Sequence, residues 1–224
     1  LFRSWPIRAS ASVVMLRPSA PDPGPWPPAH PHRPPARAGP DRPPAPAGCR
    51  DRAGSRPVAD ADALKRELDL ADKRVIVSVG RLVHRKGQDT LVESLPAILE
   101  EFPDAHLLFV GVGPHLEYIH KRAIQLGVLN SVSFVGRVQY SELPRFISVG
   151  EIFAMPSRSR LAGLEVEGLG IVYLEASACE LPIVGGLSGG APDALIEGET
   201  GLAVNGRKPD AVADAVAVAV AVAV

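Results

Sequence analysis

The chain has 224 residues, with 24 Lys and Arg against 25 Asp and Glu and a formal net charge of -1. That length suits one domain, or two small ones, and is enough to bury a core. No apolar run approaches the roughly 18 residues of a membrane-spanning helix, and the two cysteines, Cys49 and Cys179, have neither metal-ligand spacing nor the density of a disulfide framework. The expectation is a soluble, cytoplasmic protein without a transmembrane segment and without a nucleic-acid partner.

The near-neutral charge hides an asymmetry. Residues 1–57 hold nine Arg, three Asp and 15 of the 23 prolines, without Lys or Glu. This Pro/Ala/Arg-rich segment has no apolar periodicity and is predicted to be disordered, because it cannot bury enough surface to offset its ordering entropy. It also reads as a fragment boundary, or as a GC-rich stretch translated in a wrong frame; binding of SH3-like partners or nucleic acid by such a basic arm rests on composition alone.

From residue 58 the pattern changes to short apolar, β-branched runs alternating with helical stretches. VIVSVG (75–80) precedes a helix over 88–101, and LLFVG (107–111) precedes one over 115–126. VSFV (132–135) leads to a helix over 141–149, and residues 152–155 to a loop and a helix over 170–179. Residues 182–184 lead to a last predicted helix over 191–197. Strands of this kind are buried on both faces, and the alternation predicts an α/β, Rossmann-like, doubly wound parallel sheet over residues 58–215. Residues 211–224, AVADAVAVAVAVAV, alternate as a strand would but follow Pro209 as a helix would. The expectation is a short helix passing into a low-complexity tail over 216–224.

In such sheets the ligand lies outside the carboxyl ends of the strands, so the loops carry the chemistry. GRLVHRKGQ (80–88) follows the first strand: Gly80 allows the turn, and Arg81 and Lys86 are two cations suited to a diphosphate. The same residues equally describe a solvated basic loop, and His84 and Arg85 read as surface. GVGP (111–114) is a weak turn signal. EVEGLGIVYLEAS (165–177) is more specific. Gly168 and Gly170 fall where a loop becomes a helix, so the backbone from Gly168 through Leu169 and Gly170 to Ile171 could hold phosphate. Glu167 would be repelled by phosphate and suits neutral hydroxyls, and Glu175 lies eight positions further on, on the order of 8–12 Å along the helix. Sugar hydroxyls, a diphosphate and ribose hydroxyls in that order describe a nucleotide-sugar; the alternative is that both glutamates are simply solvated. SGGAPDAL (188–195) could line the same crevice or be a plain turn.

EGLGIVYLE has the E-x7-E pattern of the retaining GT-B glycosyltransferases of family 4, GRLVHRKGQ resembles their diphosphate loop, and VSFVGRV, GGAPD and ETGLAV follow in the family's order. Residues 155–195 are most similar to actinobacterial phosphatidylinositol mannosyltransferases that use GDP-mannose. The resemblance covers about residues 57–215 and implies the C-terminal, donor-binding half of a GT-B fold. It implies that Arg81 and Lys86, beside Gly80, hold the donor diphosphate and stabilise the departing nucleotide. Glu167, with the backbone of Gly168, Leu169, Gly170 and Ile171, would bind the transferred sugar and phosphate, Glu175 the ribose, and Gly136 and Val138 would lie near the base. Arg81, Lys86 and Glu167 are thus the catalytic candidates. The resemblance implies no metal and no cofactor beyond the donor substrate, a lipid or glycan acceptor, and peripheral membrane association in full-length relatives. No stretch matches the family's N-terminal domain or its catalytic His. The expected function is retaining, GDP-mannose-dependent transfer, with this chain inactive alone. The alternatives are a non-catalytic or frameshifted remnant with at most weak nucleotide-sugar binding and, with a poorer match, a GT-B epimerase.

Overall fold

A computed structural model describes residues 61–222; Cys49 and the Pro/Arg-rich segment lie outside them. Six strands form one parallel sheet: β1 Arg74–Val79, β2 Ala105–Val110, β3 Val132–Gly136, β4 Ile152–Met155, β5 Ile183–Gly186 and β6 Gly201–Val204. Their spatial order is β3-β2-β1-β4-β5-β6. Every pairing is parallel. The chain winds outward from β1 to β3 and then returns to lay β4 on the other side of β1. The switch point of this doubly wound sheet therefore falls between β1 and β4, where the connections diverge and leave a crevice.

Alternation along the strands assigns side chains to two cores. Ile76, Leu107, Phe109, Ile152 and Ala154 face one layer, which contains α2 (Gln88–Glu101), α3 (Leu116–Gln125) and α6 (Pro209–Val222). Val75, Val77, Leu108, Val110, Phe153 and Met155 face the other, with α1 (Ala61–Glu67), α4 (Leu143–Ile147) and α5 (Ile171–Ala178). Central strands buried on both faces account for the continuous apolar runs in the sequence.

Three elements differ from the sequence reading. The helix expected over 191–197 is a single 3-10 turn, Ala191–Ala194, after which Leu195 is extended. β6 replaces what read only as a motif: it is a four-residue, half-buried edge strand that opens on glycine, which gives it little apolar signal. The terminal helix runs to Val222 rather than passing into a tail after 215. Strict Ala-Val alternation also repeats every four residues, so Val212, Val216 and Val220 form one helical stripe, and all three are buried. That stripe packs into the first core, with α6 against α2. Asp210 in the first turn complements the helix dipole.

Candidate donor site at the sheet switch point

The loops after β1 and β4 meet at the switch point. After β1 the chain makes a 3-10 turn, His84–Lys86, and Gly87 opens α2. Gly87 has φ 74, and a Cβ there would stand 2.0 Å from the carbonyl oxygen of Pro156, just after β4. Only glycine lets the two loops approach this closely. Lys86 is thereby turned into the crevice, where its Nζ lies 2.8 Å from Glu167 Oε2. Both side chains are buried, at 11% and 7% exposure. Arg85 Nε lies 4.0 Å from the same oxygen. Arg85 is half-buried, not a surface residue as its sequence context suggested. Arg81 is exposed at the mouth of the loop.

Glu167 is fixed from behind. Its backbone N–H donates to Ser188 Oγ at 3.1 Å, and its carbonyl accepts from Gly190 N at 3.2 Å. Gly189 has φ 55, and a Cβ there would sit 1.9 Å from that carbonyl oxygen. The SGGAPD loop thus braces the Glu167 segment. Gly168 and Leu169 are exposed, and Gly170, in the left-handed region at φ 67, precedes α5 without a side-chain cap. The first N–H groups of α5, from Ile171 onward, are the kind left unpaired at a helix start.

Tyr173 anchors α5 to the sheet. Its hydroxyl donates to the carbonyl of Met155 at 2.7 Å and lies 3.1 Å from Ser157 Oγ. Burial pushes this phenol up to about 12, so it remains a hydrogen-bond donor. Two residues on, Glu175 is half-buried and accepts a 2.9 Å hydrogen bond from the hydroxyl of Tyr140, in the loop after β3. Gly136 ends β3 with its carbonyl accepting from Gly111 N at 2.7 Å, and Val138 packs against the second core.

The structure therefore brings Lys86 and Glu167 together at the switch point, with Gly80 beside the Lys86 stem, Arg81 exposed just after β1, and Gly168, Leu169, Gly170 and Ile171 leading into α5. Glu175, Gly136 and Val138 lie towards the β3 side. Glu167, expected to face only neutral groups, is held by Lys86. Arg85 and Tyr140 join these residues without a signal in the sequence, because their partners are distant along the chain, and Ser188 does so from the SGGAPDAL loop. On the α2 side, Arg158 binds Asp89, Thr90 and the carbonyl of Gly206. Burial raises the Asp89 carboxyl, but the Arg158 hydrogen bond and charge, with His115, bring it below its usual range.

The Rossmann-like sheet, with cations, a carboxylate and a helix start at its switch point, is an open α/β unit of the class whose ligands lie outside the carboxyl ends of the strands. The sequence profile of the family "Glycosyl transferases group 1" matches residues 60–221, and the chain belongs to that family. It is 49% identical over 161 residues to the GDP-mannose-dependent alpha-(1-6)-phosphatidylinositol monomannoside mannosyltransferase of Mycolicibacterium smegmatis. That match covers 71% of this chain and 42% of the relative, so the chain spans about two-fifths of the length of the curated relatives it matches. Among solved structures, sucrose-phosphate synthase from Thermosynechococcus elongatus is 31% identical, with a TM-score of 0.63 over 75% of this chain and 40% of that one. Anabaena HepE in complex with UDP, 23% identical, has the same fold, with a TM-score of 0.63 over 74% of this chain and 48% of its own. The sheet is that of one half of a GT-B fold. Among the described residues, no helix is long and apolar enough to cross a membrane.

Proposed function

We propose that this chain is the donor-binding half of a retaining mannosyltransferase and that its donor is GDP-mannose. The observation that carries the proposal is the meeting of Lys86 with Glu167 at the switch point, 2.8 Å apart. A cation and a carboxylate side by side suit the junction of a diphosphate and a sugar. On donor binding the diphosphate takes Lys86 from Glu167, which frees the carboxylate to accept from sugar hydroxyls. Arg81 closes on the diphosphate from the exposed side. The N–H groups around Gly168, Leu169, Gly170 and Ile171 face the phosphates, Glu175 takes the ribose hydroxyls, and the base lies by Gly136 and Val138. Mannosyl dependence is supported by the 49% identity to a relative named for that donor.

In this scheme Lys86 and Arg81 stabilise the charge that grows on the leaving diphosphate as the glycosidic bond breaks, which is where fixed cations contribute most. The acceptor hydroxyl attacks the face the diphosphate leaves, and a diphosphate oxygen takes its proton, so configuration is retained. The acceptor is a lipid or glycan held by a second domain. Residues 61–222 alone therefore bind donor without transferring sugar, in the cytoplasm or at its membrane surface.

The test is a transfer assay with labelled GDP-mannose and a phosphatidylinositol monomannoside acceptor, run beside equilibrium dialysis of the donor. The proposal predicts retained donor, loss of retention in Glu175→Ala, and no labelled lipid. Labelled lipid at the rate of a full-length relative would overturn the inactivity; failure of folded chain to retain donor would leave the remnant reading.

A further inference from the structure

One cluster beside the donor loop has no part in that scheme. His84 from the turn after β1, Asp89 from the first turn of α2 and His115 from the loop after β2 each bring a ligand atom within 4.8 Å of the others. His115 is 4% exposed and Asp89 7%. His115 Nε2 and Asp89 Oδ1 are buried without a hydrogen-bond partner. His115 Nε2 does lie 3.3 Å from the other carboxylate oxygen, Oδ2, an ion-pair distance without hydrogen-bond alignment. Unpaired polar atoms buried this deeply are costly, and two of them converging here call for an occupant.

We propose that His84, Asp89 and His115 form a site for a divalent transition-metal ion, with Zn2+ the fitting member of the class. Two imidazoles and one carboxylate are its ligand set, and hard ions such as Mg2+ would take oxygen ligands instead. Arg158 binds Asp89 Oδ2 and so orients the carboxylate, as an outer partner orients a ligand. Arg160 is paired with Glu165 at 3.1 Å, while Arg158 shares the Asp89 carboxylate with the ion, Arg158 on Oδ2 and the ion on Oδ1. His84 is exposed and packs against His115 with ring centroids 3.6 Å apart and the planes tilted by 45°, so a rotation about its side chain brings it to the ion. His84 and His115 line a cavity of about 250 Å³ together with Arg85, Arg160 and Glu165. Because the ligands come from the loops after β1 and β2, the ion clips those loops together next to Lys86. Its role is to hold the donor loop rather than to take part in transfer.

The test uses the full chain after chelator treatment and titrates it with Zn2+ alone, followed by calorimetry and by thermal denaturation. Co2+ absorption in the visible range reads the coordination geometry. The expected result is one saturable equivalent, a raised melting temperature and a Co2+ spectrum with nitrogen ligands. His84→Ala removes a ligand and weakens binding by more than the roughly 10- to 100-fold seen when only an outer partner of a ligand is lost, and abolishes the thermal shift. His84 is exposed, so this variant folds even where His115→Ala does not. A His30→Ala/His32→Ala double variant and His120→Ala keep full affinity. Absence of saturable binding, or binding unchanged by His84→Ala, or binding lost only in the His30/His32 variant, would overturn the proposal.

Discussion

The pair of Lys86 and Glu167 is under opposing demands at the scale of single residues. Two charges at 11% and 7% exposure lose most of their hydration, and the 2.8 Å contact offsets that loss only while both partners remain. Lys86→Ala is expected to destabilise the domain by about 2–4 kcal/mol in urea denaturation, because it leaves a buried carboxylate with only Arg85 nearby. The double variant Lys86→Met/Glu167→Leu is expected to recover most of that loss while losing donor binding. His106 gives a second residue-scale prediction. Burial, and then the charge of Lys73, lower its pKa from 6.5 to about 4, while its ring bonds Ser133 at 2.8 Å. The folded imidazole stays neutral where the unfolded chain's takes a proton. Stability from this group is therefore full above pH 6.5 and is lost as pH falls toward 4, by up to about 3 kcal/mol. Melting temperatures measured across that range should fall less steeply for His106→Gln. Of the residues of the proposed donor site, Arg81, Lys86 and Glu167 stand out in the sequence because glycines punctuate their loops, and Glu175 because it lies eight positions after Glu167, inside α5. Arg85 and Tyr140 do not, because only the fold brings them to Glu167 and Glu175.

Among the elements, α5 depends on one side chain for its placement. Tyr173 joins the helix that carries Glu175 to the end of β4 through Met155 and Ser157. Tyr173→Phe leaves the ring packed and removes one of two donors to the Met155 carbonyl, which keeps the Ser157 N–H at 2.7 Å, at an expected cost of about 1 kcal/mol. Donor affinity should fall with it, since Glu175 follows two residues later. α6, expected as a short helix, runs on to Val222 for a physical reason. Alternation has period two, which is the strand signal, yet it also places every second valine on one helical face. The choice was made by Pro209, Asp210 and the open side of α2, the last of which is a tertiary fact. Val216→Ala should cost about 2 kcal/mol by denaturant titration, as a buried methyl loss with its cavity does; the exposed Val218→Ala should cost little.

For the whole molecule, the fold was largely legible because burial of the strands on both faces writes continuous apolar runs, each followed by a helix. β1 to β5 fall within two residues of the sequence reading, and β4 coincides with it. β6 was missed because an edge strand of four half-buried residues has little apolar content to betray it. The order β3-β2-β1-β4-β5-β6 then decides where any ligand sits, since it puts the loops of Lys86 and Glu167 on either side of one crevice. Family membership and this topology agree on one half of a GT-B fold, and the chain spans about two-fifths of the relatives' length. The measurement that bears most directly on the account is a calorimetric titration of the full chain with GDP-mannose, GDP and UDP-glucose, repeated on Glu175→Ala. The account predicts saturable binding of both guanine ligands, weaker or absent binding of UDP-glucose, and an affinity at least about tenfold lower in the variant, a loss of roughly 1.4 kcal/mol. A folded chain that takes up neither guanine ligand, or that binds them equally well without Glu175, would contradict it.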